Sequence, residues 1–106
     1  MIRHIDVRPA ADLDVDSYFY FIGMDNESVA HRFLDAVSAT YAKIGAWPGM
    51  GHPREFANPS LIGIRSIAIE GFPNHLVFYR VVDDGTIRIL RIRHGAMDAD
   101  AIEMGE

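Results

Sequence analysis

The chain contains no cysteine, and lysine supplies only one of its ten basic residues. No disulfide can therefore form, and without cysteine or a His-x-His or H-E-x-x-H motif the sequence carries no zinc signature. No apolar run approaches the roughly 20 residues that a membrane-spanning helix needs. The first fifteen residues also lack the apolar stretch of a secretory signal, so we expect a cytoplasmic protein. We also expect it to bind no metal and no cofactor.

The length and composition are those of an ordinary globular protein. With 106 residues the chain is long enough for one core and too short for two domains. Hydrophobic residues make up 49% and charged residues 24% of the sequence, which matches a water-exposed fold rather than a disordered or membrane-embedded one. We therefore predict a single domain over residues 1–106.

Positive charge is confined to one segment of an acidic chain. The formal net charge is −5, which argues against a protein that coats nucleic acid. Residues 9–45 hold six acids against two bases, whereas residues 65–95 hold five arginines against three acids. The final stretch, 98–106, has four acids and no base. Arginine suits paired or stacked contacts with its planar fork, so this segment favours specific contacts over diffuse attraction to phosphate.

Apolar spacing predicts a strand followed by two helices. Residues 3–7 alternate polar and apolar, as in a half-buried strand. Residues 9–23 begin with proline and repeat apolar side chains three and four apart, which predicts a helix. Asp25 or Asn26 is the expected cap of a second helix, whose apolar stripe extends to Ile44. A short link between two such helices predicts an antiparallel hairpin.

The second half of the chain predicts strands. Residues 45–61 are rich in glycine and proline and predict a loop. Residues 62–70, 75–82 and 86–93 are β-branched or aromatic runs separated by turn residues, which predicts a three-strand meander. The run at 75–82 should form the central strand, covered in part on both faces. We therefore predict an α+β fold, with the helical hairpin packed on a mainly antiparallel sheet of these strands plus the N-terminal strand.

The last predicted strand changes phase. Apolar residues occupy odd positions up to Ile89 and even positions from Leu90. In a regular strand Arg88 would face opposite to Arg91 and Arg93, whereas a β-bulge near Ile89–Leu90 would place all three on one side. A strand buried on both faces at its middle is the alternative.

Five stretches now stand in a particular order: "ADLD", "AHRFLDAV", a Gly/Pro-rich loop, "NPSLIGIRSIAIEGFPNHLVFYRV" and "ILRIRHGAMD". Together they resemble the ParE branch of the ParE/RelE toxin superfamily, the toxins of type II toxin–antitoxin (plasmid stabilisation) modules. The resemblance covers essentially the whole chain. It implies a RelE/ParE-like fold that leaves room for a short C-terminal helix, and a cognate ParD-like antitoxin that wraps the toxin. It also implies DNA gyrase as a target inhibited by binding, so that the protein is not an enzyme.

The same resemblance leaves an enzymatic alternative open. RelE-like members cleave ribosome-bound messenger RNA with a sheet cluster of Lys and Arg plus a C-terminal Arg and Tyr. The matching positions here read Arg65, Ile67 and His75, and Met97 stands where an arginine is usual. Cleavage needs proton-transfer groups and cations, and Arg65, His75 and His94 are the catalytic candidates for this ribonuclease hypothesis. Because of Met97, a degenerate toxin that only binds antitoxin is the third hypothesis.

Under the gyrase hypothesis, the exposed polar face of the meander binds the target, and the contact involves the last strand and the residues after it. We expect no sequence-specific nucleic-acid binding by the toxin alone and no membrane contact. The run Asp12, Asp14 and Asp16 is interpreted as acids that favour a helix N-terminus, with no further role. The predicted target-binding residues are Arg65, Arg80, Arg91, Arg93, His94 and Met97.

Overall fold

The structure, a computed structural model, describes residues 3–83 and 85–95. Its helices and strands follow one another as β1 (His4–Val7), α1 (Pro9–Asp25), α2 (Glu27–Ala46), β2 (His52–Pro53), β3 (Arg65–Ile69), β4 (Phe72–Asp83) and β5 (Thr86–His94). The sheet order is β1-β5-β4-β3-β2, with β1 parallel to β5 and the other neighbours antiparallel. The predicted α+β fold is confirmed, and any C-terminal helix lies outside the described residues.

Two details differ from the prediction. The predicted loop 45–61 contains a two-residue edge strand, His52–Pro53, which makes the sheet five-stranded. Its sequence shows no alternation because so short a strand has no room for it, and proline is tolerated at a sheet edge. Helix α1 also continues through Gly23 to Asp25, because a single glycine costs only about 1 kcal/mol and the next cap comes at Asn26.

The helical hairpin covers one face of the sheet. Proline occupies the first turn of α1, and the Asn26 side chain accepts a hydrogen bond of 3.1 Å from the Val29 amide at the start of α2. Most of the predicted α2 stripe is buried, and Thr40 is buried with it because its hydroxyl donates to the Ala36 carbonyl at 2.7 Å. The main core lies between this hairpin and the sheet.

Strand β4 is central and covered on both faces, as predicted. Val77 and Tyr79 belong to the main core under the helices. Phe78 points to the other face, where it packs with Ile64 and Leu90 in a second, smaller cluster. Because successive strand residues face opposite sides, the apolar run of β4 supplies both clusters.

The β-bulge is also confirmed. Tyr79 pairs with Ile89 and Phe78 pairs with Arg91, so Leu90 is the extra residue on β5. The partners of Arg88, Arg91 and Arg93 on β4 are Arg80, Phe78 and Leu76, which share one face. The bulge thus brings all three arginines to the same side of the sheet.

A polar tether fixes the loop after α2 to the sheet. The buried Tyr79 hydroxyl donates to the Pro48 carbonyl at 2.7 Å and accepts from the Gly51 amide at 3.0 Å. Arg65 adds bonds of 3.2 and 2.7 Å to the carbonyls of Gly49 and Gly51. Burial raises the pKa of Tyr79, which keeps its hydroxyl protonated and able to donate.

Replacing Gly51 with alanine should break this tether. A Cβ atom at Gly51 would lie 2.5 Å from the Tyr79 hydroxyl and 3.0 Å from the Ser66 carbonyl oxygen. We expect Gly51→Ala to lower the free energy of unfolding by about 1–3 kcal/mol in urea titrations. Gly49→Ala is the matched control, because a Cβ there meets nothing within 4 Å. Equal stability of the two variants would contradict the tether.

Candidate functional site

Helix α1 covers the part of the β5 edge that lies beyond the last residue of β1. The last backbone bond at this edge runs from the Arg8 amide to the Ile89 carbonyl at 3.0 Å. Beyond it, the amides of Ile92 and His94 donate to the Asp14 carboxylate and the Tyr18 hydroxyl, each at 3.0 Å. Four helical residues rise about 6 Å and two strand residues about 6.6 Å, so one turn of α1 matches this edge of β5.

Asp14 is the centre of this junction. Its carboxylate, only 10% exposed, accepts bonds of 2.7 and 2.9 Å from the Arg91 guanidinium, and Arg93 lies 3.7 Å away. Sequence reasoning missed this role and gave Asp14 only a helix-dipole function. The available signal was position: Asp14 lies three residues after Ala11 and four before Tyr18, on the inward face of α1. An acid on that face needs a buried partner.

The predicted target-binding arginines make intramolecular contacts. Arg80 donates to the Ser60 carbonyl at 2.8 Å, and Arg65 holds the loop after α2. Arg88 pairs with Asp6 at 3.0 Å. The side chains of Arg88, Arg91 and Arg93 are 26%, 19% and 20% exposed. These three arginine side chains are therefore largely covered, and each lies beside an acid. Met97 lies outside the described residues.

Two histidines line an apolar groove beside this junction. His75 and His94 are cross-strand partners with ring centroids 5.2 Å apart. The His75 ring also forms T-shaped contacts with the rings of Tyr18 and Phe33, with centroid distances of 4.8 and 5.3 Å. The groove has a volume of about 540 Å³. We call it the histidine groove; it is lined by Ser17, Tyr18, Phe21, Ile22, His75 and His94.

The environment of His75 disfavours its charged form. Burial lowers the pKa of His75, and the neighbouring His94 lowers it further. Its Nδ1 atom is buried and has no hydrogen-bond partner among residues 3–83 and 85–95. His75 is therefore neutral near pH 7.

The ribonuclease candidates are only partly assembled. His75 and His94 meet, but Arg65 pairs with Tyr79, four residues along β4 from His75. Four strand residues span about 13 Å, and the Arg65 guanidinium is turned to the carbonyls of residues 49 and 51. The structure therefore brings the two imidazoles together without this cation beside them.

The described part of the chain contains no group of three His, Asp or Glu side chains arranged to hold a metal ion. Neither of the helices within it is long and apolar enough to cross a bilayer.

Removing the Asp14 carboxylate should destabilise the protein strongly. Asp14→Ala would leave Arg91 and the Ile92 amide without their partner, so we expect a loss of about 3–5 kcal/mol in unfolding free energy by chemical denaturation. Asp16→Ala, on the exposed side of α1, should change it by less than about 0.5 kcal/mol. Arg91→Met should lower the free energy of unfolding by less in the Asp14→Ala background than in the wild type, because the two side chains interact directly. Additive losses would contradict the ion pair.

The pKa of His75 predicts a direction of pH dependence. Because it is lower in the folded state than the ordinary value of 6.5, the unfolded chain binds more protons as the pH falls below that value. This contribution to stability should thus be fully present above about pH 6.5 and should decline as the pH falls below it. His75→Phe should flatten this decline in denaturation curves at several pH values, while the exposed His31→Gln control should retain it. An unchanged slope in His75→Phe would refute the assignment.

Comparison with known proteins identifies a family whose model matches this chain. The model described as "ParE toxin of type II toxin-antitoxin system, parDE" matches residues 5–99. A search of the curated proteins by sequence found no match.

Solved structures share the fold. One, described as the chromosomal ParDE toxin–antitoxin system from P. aeruginosa, has a TM-score of 0.67 at 18% identity, covering 88% of this chain and 96% of its own. Another, the toxin–antitoxin complex RelBE2 from Mycobacterium tuberculosis, has a TM-score of 0.57 at 19% identity, covering 89% of this chain and 99% of its own. At these identities the likeness shows the fold, while the family match extends over most of the sequence. The chain belongs to the ParE toxin family of type II toxin–antitoxin systems.

Proposed function

We propose that this toxin acts in the cytoplasm by binding and inhibiting DNA gyrase, and that a ParD-like antitoxin neutralises it. The family match supports a toxin with an antitoxin partner. The gyrase target rests on the resemblance of the "GIR" to "HGAMD" strands to the ParE branch. Target contacts are assigned to the end of β5 and the residues after it, with Arg93, His94 and Met97 as the positions to test.

The observation that most favours inhibition by binding is the separation of Arg65 from the histidine pair. Cleaving RNA requires an acid, a base and cations that converge on one phosphate. Here the two imidazoles lie in an apolar groove, and Arg65 is bonded to loop carbonyls elsewhere on the sheet. An inhibitor that binds needs only a complementary surface and does not require these groups to converge.

A ribonuclease is the second candidate because His75 and His94 are in contact. Imidazole is the side chain used most often as a general acid or base, and two imidazoles lie side by side here. His75 is held neutral near pH 7 by its surroundings, which suits a base. A toxin that has lost its target but still binds antitoxin is the third candidate, and it depends on Met97.

Purified gyrase provides the direct test. We expect the wild-type chain to inhibit supercoiling, and Met97→Arg to inhibit it more strongly, because an arginine fork can bond a carboxylate or phosphate in two places. Arg93→Gln should weaken inhibition. Arg91→Ala is not a usable probe, since it would remove the closest charged partner of the buried Asp14 carboxylate.

Two further measurements separate the alternatives. Primer extension on ribosome-bound messenger RNA should show no specific cuts; cuts that disappear in His75→Gln would establish the ribonuclease. Growth inhibition in cells should be relieved by co-expression of the antitoxin gene. If neither the wild-type chain nor Met97→Arg inhibits gyrase, and no RNA is cut, the degenerate toxin remains.

A further inference from the structure

The two edges of the sheet differ in how well they can accept another strand. One edge is β2, which has two residues, and one of these is Pro53, which has no N–H group to offer a further strand. The other edge is β1, which has four residues and no proline. Because free backbone groups at a sheet edge pair readily with another chain, proline is one of the residues that protect such edges. The edge at β1 lacks this protection.

Alternate backbone groups of β1 point away from the sheet. The His4 and Arg8 amides donate to β5-side carbonyls at 2.7 and 3.0 Å. In a parallel pair every second residue bonds to the neighbouring strand, so residues 4, 6 and 8 face β5, while Ile5 and Val7 face outward. Within the described part of the chain, no hydrogen bond outside the ladder with β5 reaches the Ile5 or Val7 amide.

A second copy of β1 fits this edge when it runs antiparallel about a two-fold axis at Ile5. Ile5 then lies opposite Ile5 of the second copy, and Arg3 lies opposite Val7 in both directions. These are the positions that exchange hydrogen bonds in an antiparallel ladder, and they carry the outward-facing backbone groups. All three outward-facing residues in 3–7 therefore find a partner.

The side chains favour the same register. It sets the exposed His4 opposite Asp6 of the second copy, at positions where cross-strand side chains come closest. An imidazole N–H can donate to a carboxylate there. A register centred on Asp6 would face two carboxylates, and one centred on His4 would face two imidazoles. Within residues 3–7, both of these registers also leave one outward-facing residue without a partner.

We infer that β1 binds β1 of a second copy of this chain, which joins two five-stranded sheets into one across a two-fold axis. Residues opposite each other share a face of the sheet, so both helical hairpins lie on the same side. A strand of four residues buries little surface, so the dimer is weak and reversible. This inference depends on neither the gyrase target nor the antitoxin.

Disulfide trapping in the purified chain, separated from its antitoxin, tests the register. The chain contains no cysteine, so each variant has one thiol. Hydrogen-bonded antiparallel partners have Cα atoms about 5.5 Å apart, which suits a disulfide. Ile5→Cys should therefore form covalent dimers about tenfold faster or more than His52→Cys, the control on the other sheet edge. Random collision would give the reverse order, because His52 is exposed and Ile5 is half-buried. That reverse order, or equal rates, would overturn the inference.

Hydrogen exchange of the wild-type chain tests the pairing without any substitution. The Ile5 and Val7 amides should exchange about tenfold more slowly, or slower still, at high than at low protein concentration, because dimer formation bonds them. The Asp6 amide, which faces β5, is the internal control and should be protected to the same extent at both concentrations. Ile5 and Val7 exchange rates that do not change with concentration would contradict the dimer.

A charge variant tests the contact between His4 and Asp6. His4→Glu would place like charges opposite each other twice in the dimer, so sedimentation should show self-association weakened by about tenfold. His52→Glu makes the same change on the other edge and should leave self-association unaltered. Both histidines are exposed, so thermal unfolding should confirm that each variant keeps its fold. Equal effects of the two variants, or assemblies of wild type larger than a dimer, would show that this edge contact is wrong.

Discussion

The contact between Asp14 and β5 is the interaction on which the arrangement of helix and sheet depends. The carboxylate satisfies an edge amide of the strand and, at the same time, the guanidinium of Arg91 beside it. Another strand could pair with the Ile92 amide, and a surface acid could pair with Arg91. The buried Asp14 side chain on α1 makes both interactions at once. It therefore holds α1 against the edge of β5, beside the histidine groove. Tyr18, one turn later, repeats the edge contact at His94.

The same contact changes how the charge of the chain is understood. The sequence shows a basic segment next to an acidic one, which looks like a cationic binding face. In the fold, an acid from α1 and an acid from β1 each meet β5 arginines, so part of that charge is used to hold the domain together. Other acids, among them Asp16, Asp25 and Glu27, remain exposed on α1 and at the start of α2. Recognition of a partner by charge thus depends on which charged side chains stay exposed in the fold, rather than on how many the sequence contains.

The architecture could be predicted because it follows from local periodicity: the helical stripes, the meander and even the bulge at Leu90 appear as spacing of apolar residues. The site could be predicted only in part. The cross-strand meeting of His75 and His94 depends on register, which the bulge shifts, and the role of Asp14 depends on a residue 77 positions away. The exposure of Tyr20, Phe21 and Met24 could not be predicted, because these residues sit among equally apolar core residues. Spacing alone does not tell which side of an apolar helix is covered.

The parallel pairing of β1 with β5 governs how this chain matures during synthesis. His4 pairs with Thr86, so β1 has no partner in the sheet until β5 has been synthesised. Closing so long a loop costs entropy that only the completed main core can offset. The N-terminal strand and α1 must therefore wait, with their apolar surfaces uncovered, while the meander is translated. For a toxin this means that the finished fold, and any activity that depends on it, is obtained only after β5 has been translated.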